Sequence, residues 1–181
     1  MLLESQLLAL LDSDQHAMHI LMPVAYRALV QVNTEAARRL MSEFFWIGTD
    51  RVSEQAAQGL WLAVLHSDQD VEFQQDALKK LQVAVQLGNA PKYQLAYLTD
   101  RIRRNLGRPQ LFGVYPFIQK ERDIFAPAEI EDEEHVEERW REYGLGPHLG
   151  AESFAHYCVQ KLEQLIACLE AEATKAGPKK T

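Results

Sequence analysis

The chain has 181 residues, 47% of them apolar and 25% charged, which fits one globular domain able to bury a core without disulfide or metal staples. A formal net charge of -7 leaves no basic surplus to displace counterions from a phosphate backbone, so nucleic acid is not expected as a main partner. No apolar segment reaches the length of a membrane span, and no membrane partner is expected either.

The opening MLLESQLLALLDSD carries Glu4 and no cationic stretch. It reads as an amphipathic helix rather than a signal peptide, and a cytoplasmic address is the expectation. Leucines at 3, 7, 10 and 11 make a helix of residues 2 to 11, and helical period continues from 14 to 31, with Pro23 kinking or dividing that helix. A third helix is predicted from Thr34 to Phe45, capped by Asn33 or Thr34. The turn WIGTDRVS then offers Ser53 as the cap of a fourth helix that ends at His66. That helix has apolar residues at 56, 57 and 60 to 65, so its second half is apolar all round and belongs in the centre of the fold.

A fifth helix spans about Asp70 to Leu87 and stops at Gly88. Pro91 opens a sixth, which stops at Gly107. From Gln110 the periodicity changes, with aromatic and β-branched residues on both sides of the polar turn QKERD. Pro116 and Pro127 make this β hairpin or extended arm, near residues 111 to 127, an irregular one. A charged helix follows from about Asp132 to Tyr143, then a long one from about Ala151 to Glu172. The fold class predicted is mainly α: an irregular single-domain bundle of about seven helices over residues 1 to 172, carrying that β arm, with residues 173 to 181 as a flexible tail. Cys158 and Cys168 stand ten residues apart in the last helix, too far along its axis to be bridged to each other.

The densest polar feature is HSDQD, residues 66 to 70, at the corner between the fourth and fifth helices. The end of a helix favours an imidazolium and burial favours the neutral ring, so His66 sits where two effects oppose each other, a setting suited to a general acid or base. The plainer reading is a helix C-cap. The helix beginning near Val71 needs a single cap, from Ser67, Asp68 or Asp70. The surplus carboxylate is then available to orient His66, hold a cation or bind substrate. A histidine and two carboxylates on a bend are weaker than a zinc signature, and the spacing lacks the glycine and terminal glutamate of an EF-hand.

In AYLTDRIRRN, Tyr97, Arg101 and Asn105 fall on one helix face at i, i+4 and i+8, with Asp100 adjacent. This stripe borders the apolar face formed by Leu95, Leu98 and Ile102, which suits an arginine that holds a carboxylate or phosphate. A solvated Asp-Arg pair is the alternative. GRPQLFG follows, and its glycines and proline hold Gln110 in a constrained turn, where its amide serves either a ligand or the backbone. His16 and His19 at i, i+3 lack the partners of a helical metal site. The run EIEDEEHVEER reads as the first turns of a solvated helix. No Gly-rich phosphate loop or nucleophile elbow occurs.

Three blocks in order, WLAVLHSDQDVEFQ, AYLTDRIRRNLGRPQLFG and IEDEEHVEERWREYGL, resemble a bacterial family catalogued as a domain of unknown function. Its pattern reads W-x4-H-x-D-x-D-x2-F-Q, then A-Y-L-x-D-R, then N-x-G-x-P-Q-x-Y-G-T-Q, then I-x-D and R-R-x3-G-L. The resemblance covers roughly residues 12 to 149. The chain departs from it at Phe112 for Tyr, at Val114-Tyr115 for Thr-Gln and at Trp140 for the second arginine of the pair. Upstream, D-Q-x-x-R stands as Asp14-Gln15 with Met18 in the arginine position. The resemblance implies a functional role for the matched polar residues, Asp14 among them, and the departures imply a different substrate or a reduced activity, for instance in a member recruited to a biosynthetic pathway.

The expectation is therefore a small enzyme doing acid-base chemistry, whether hydrolysis, elimination, cyclisation or isomerisation, on a polar or anionic small molecule or peptide, with no cofactor and no bound metal. His66, Asp68 and Asp70 are the catalytic candidates, with either aspartate orienting the ring. Asp14, Tyr97, Asp100, Arg101 and Gln110 are the substrate-binding candidates, and an oligomer is compatible with all of this. Two alternatives stand beside it. One is a non-catalytic binding or scaffold protein that uses the acidic helix or an apolar surface along 111 to 127. The other is a metal-dependent hydrolase built on His66, Asp70 and a carboxylate such as Asp14 or Asp100.

Overall fold

A computed structural model describes residues 2–18, 23–115, 117–121 and 124–146. Over these the chain is mainly α, with helices α1 (Leu2–Met18), α2 (Pro23–Phe44), α3 (Glu54–Leu65), α4 (Val71–Gln86), α5 (Lys92–Asn105) and α6 (Val136–Tyr143). A 3-10 turn, Glu133–His135, leads into α6. Two short strands, β1 (Phe117–Glu121) and β2 (Ile124–Pro127), pair antiparallel with a register shift between Gln119 and Glu121. The long helix expected from Ala151, both cysteines, His19 and the tail lie outside the described residues. Among the described residues no helix is long and apolar enough to cross a membrane.

The start of the chain differs from the sequence expectation. No break falls between residues 11 and 14: α1 runs on to Met18, so Asp14 lies within a helix. Nor does Asn33 or Thr34 begin a new helix, since α2 passes straight through both. Their side chains would compete with the helix for backbone groups if left unpaired. Here they are occupied: Asn33 accepts from Ser13 Oγ at 2.8 Å, while Thr34 Oγ1 donates back to the Val30 carbonyl and meets Ser67 Oγ at 2.9 Å. Pro23 opens α2, the position where its missing N–H costs nothing.

The later boundaries follow the local chemistry. Ser53 caps α3 by accepting from the Ala56 amide, and Asp70 caps α4 by accepting from the Phe73 amide at 3.0 Å. Gly88, which ends α4, takes φ +76°, a left-handed conformation that glycine adopts without strain.

The core is built on α3. Leu60, Val64 and Leu65 from it pack with Leu7 of α1, Met41 of α2, Leu81 of α4 and Leu98 of α5. Each such side chain contributes about 1.5–3 kcal/mol when fully withdrawn from water. α1 and α3 run side by side in the same direction: the Ser53 amide donates to Glu4 at 3.3 Å, Leu7 lies against Gly59, and Asp14 meets His66. Gly59 makes this possible, because a Cβ there would overlap the Leu7 carbonyl oxygen. From the Leu7–Gly59 crossing to the Asp14–His66 contact is seven residues along each helix, about two turns.

Candidate functional site

The corner between α3 and α4 is a hydrogen-bonded turn, with Asp68 N donating to His66 O at 2.8 Å and Asp70 N to Ser67 O at 2.9 Å. His66 is the C-cap of α3. Ser67, buried, donates to Ala63 O at 2.6 Å and is joined to Thr34 of α2. Gln74, fully buried on α4, donates to the Val64 and Leu65 carbonyls at 3.2 and 3.0 Å. The last carbonyls of α3, immediately before His66, are thereby satisfied inside the protein. Asn105 of α5 donates to Gln74 Oε1 at 3.1 Å and to Asp68 Oδ1 at 2.8 Å, which closes a frame around the corner.

Within that frame, His66 Nδ1 lies 2.6 Å from Asp14 Oδ1. Asp14 is 2% exposed, so its carboxylate gains little from water, and the imidazole is its main polar partner beside a long contact from Gln15. Among the described residues His66 Nε2 has no hydrogen-bond partner. A buried carboxylate on Nδ1 fixes both the ring's orientation and its tautomer, leaving the Nε2 lone pair to act on something else.

Asp68 points to α5. Arg101 grips it with Nε at 2.7 Å and Nη2 at 2.5 Å. Burial pushes the Asp68 carboxyl up, but the bonds and charge of Arg101, with help from Asn105 and Arg104, outweigh it and hold the group below its usual range. Arg101 responds in kind: burial pulls it down, and Asp68 more than restores it. The pair is a bidentate, charge-assisted bond.

Two tyrosines border this pair. Tyr26 of α2 has its phenol pushed up by burial, pulled down by the charge of Arg101 and pushed up again by those of Asp68 and Asp14. Tyr115 lies under Arg101 and Arg104, whose guanidinium carbons are 5.4 and 4.7 Å from its ring centre. Burial pushes its hydroxyl up to about 12 against the pull of the two arginines, so it stays a neutral phenol. Tyr97 belongs to an aromatic chain: its ring meets Trp61 at 6.2 Å, Tyr93 at 6.5 Å and Tyr115 at 6.0 Å, each edge to face.

The remaining sequence candidates serve other ends. Asp70, having capped α4, pairs with Arg38 of α2, and among the described residues no hydrogen bond joins it to His66. Asp100, fully buried, accepts from the amides of Leu111, Phe112 and Val114 at 2.7 to 3.2 Å. Burial pushes its carboxyl up and those amides pull against it. Gln110 forms a clasp with the backbone of Tyr115, donating at 2.7 Å and accepting at 3.0 Å. Both side chains thus hold the 111–115 loop, and so does Trp140, whose indole donates to Phe112 O at 2.5 Å. That loop carries Tyr115 to the arginines.

Of the candidates expected to orient His66, Asp68 pairs with Arg101 and Asp70 caps α4 instead. Asp14, placed among the substrate-binding candidates, is the residue bonded to the ring. Tyr26 and Arg104 were missed. A signal for Tyr26 existed in its i, i+4, i+8 stripe with Val30 and Thr34, which is the α2 face that meets Ser67. Arg104 had none, since its neighbours Arg101 and Arg103 look the same in the sequence.

Among the described residues no three His, Cys, Asp or Glu side chains gather as metal ligands, so His66, Asp70, Asp14 and Asp100 form no such set. A cavity of about 370 Å³ opens elsewhere, lined by Trp46, Glu54, Asn89, Tyr93 and Gln94 among others, and by none of the site residues above.

No curated protein and no solved structure matches the chain. A family model does, over residues 6–155, a span that holds Asp14, His66, Asp68, Arg101 and Tyr115 alike. The chain belongs to the family of unknown function DUF6624.

Proposed function

We propose that the protein is a small enzyme that moves a proton on a polar or anionic small molecule or peptide, with His66 as the general acid or base and Asp14 as its positioning partner. The observation that carries this reading is the 2.6 Å contact between His66 Nδ1 and a carboxylate that is 2% exposed. Asp14 holds the ring with Nε2 outward, and its charge stabilises the imidazolium that forms when Nε2 takes a proton from a substrate or from water. Such a group accelerates a reaction by about 10²–10⁴-fold. Asp68 and Arg101, locked to each other, form one wall, and the ring of Tyr115 gives that wall an aromatic lining. Tyr115 stands where the family pattern has glutamine, which supports a substrate different from that of other members and a place in a specialised biosynthetic pathway. The cytoplasm is the compartment this reading assumes.

The test is a turnover screen of anionic esters, lactones and activated amides with the wild-type protein and His66→Gln. The reading expects a reaction supported by wild type and lowered about a hundredfold or more in the folded variant. A folded His66→Gln protein with unchanged turnover would refute it.

A further inference from the structure

The half-buried arginines among the described residues are Arg101, Arg103, Arg104 and Arg139. Three have a carboxylate partner: Arg101 has Asp68, Arg103 has Glu131 and Arg139 has Asp132. Arg104 has none, and among the described residues nothing accepts a hydrogen bond from it. The guanidinium lies over the face of Tyr115, its carbon 4.7 Å from the ring centre. Its donors therefore still face water, whereas the other three arginines spend theirs on a carboxylate.

The local charges say what is missing. Asp14 is engaged with His66, and both oxygens of Asp68 are engaged with Arg101 and Asn105. Neither carboxylate has an oxygen left to bond Arg104: burial and Arg101 disfavour its charge, and Asp68 offsets them only as a neighbouring charge. An anion arriving there would meet one uncommitted guanidinium fork, the charge of Arg101 beside it and the ring of Tyr115, whose hydroxyl donates to the Tyr97 carbonyl at 3.4 Å. Tyr115 joins Arg104 to Arg101, and Arg101 in turn holds Asp68, two residues past His66 in the same turn.

We infer that Arg104 holds the oxyanion, a carboxylate or a phosphate, of the molecule on which His66 acts. The inference rests on the reading of this wall as a substrate site and adds to it the chemical class of the ligand. A planar fork of N–H donors matches either group with two parallel bonds. Tyr115 supports the fork from below, so a change at residue 115 alters the anion's seat while leaving His66 and Asp14 untouched.

The experiment titrates wild type, Arg104→Gln, Arg104→Lys and His66→Gln with sodium phosphate and, separately, sodium acetate, at constant ionic strength, following the thermal midpoint. Saturable stabilisation of wild type is expected from at least one of the two anions. Phosphate alone indicates a phosphorylated ligand and acetate alone a carboxylate. The apparent Kd should rise about tenfold or more in Arg104→Gln and less in Arg104→Lys, which keeps the charge without the fork. His66→Gln should bind as wild type does, which separates this inference from the acid-base reading. Equal responses of wild type and Arg104→Gln, or no saturable response to either anion, would overturn it.

Discussion

Asp14 and His66 are 52 positions apart in the chain and 2.6 Å apart in space. The sequence makes His66 conspicuous because an apolar helix ends on it, and it makes Asp68 and Asp70 conspicuous because they lie beside it. Among the described residues one carboxylate bonds the ring, and it comes from another helix. Proximity in sequence favoured the wrong aspartates because a residue at i+2 or i+4 past a helix end points along the turn, toward the next helix or its cap, rather than back at the C-cap ring. The reasoning that one aspartate suffices as cap does hold: Asp70 caps α4, and Asp68 is free to bind Arg101. Asp14→Asn keeps the shape of the contact and removes its charge. Turnover should fall about a hundredfold or more while the urea midpoint shows a loss of about 1–3 kcal/mol, the cost of weakening a buried polar contact. A variant with lowered stability and unchanged turnover would reduce Asp14 to a structural role.

Among the elements, α3, α4 and α5 were legible because each carries its own start and stop: Ser53 before α3, Asp70 before α4, Pro91 before α5, and glycines after the last two. α1 and α2 were not. Asn33 and Thr34 look like a cap, and their tertiary partners, Ser13 and Ser67, cannot be seen locally. The parallel packing of α1 on α3 was equally hidden, although Gly59, a glycine inside an otherwise strong helix, marks where another backbone comes close. Gly59→Ala must push α1 away from α3 at Leu7, two turns from the site. The expected cost is about 1–3 kcal/mol by urea denaturation, together with reduced turnover because Asp14 rides on the displaced helix. If the stability falls and turnover does not, the coupling between crossing and site is absent.

Across the whole molecule, net charge and composition identify no partner, and the family match fixes kinship over residues 6–155 without supplying a reaction. The folded state does set a pH dependence. Asp68 is held below its usual range, so it binds a proton less readily folded than unfolded. Its contribution to stability is therefore present above the usual carboxylate range and lost as pH falls through its depressed value. Asp100, held above its usual range, has the opposite sign: its contribution is present at low pH and lost as pH rises through its raised value. Urea midpoints across the acidic range should drop less steeply in Asp68→Asn than in wild type, and parallel curves would contradict the assignment. The dyad itself is read most directly by ¹⁵N NMR of the His66 side chain at a pH where the ring is neutral. Asp14 should hold the proton on Nδ1 and leave Nε2 bare, and Asp14→Asn should disturb that preference. A neutral ring protonated on Nε2, in wild type as in Asp14→Asn, would contradict the site at its centre.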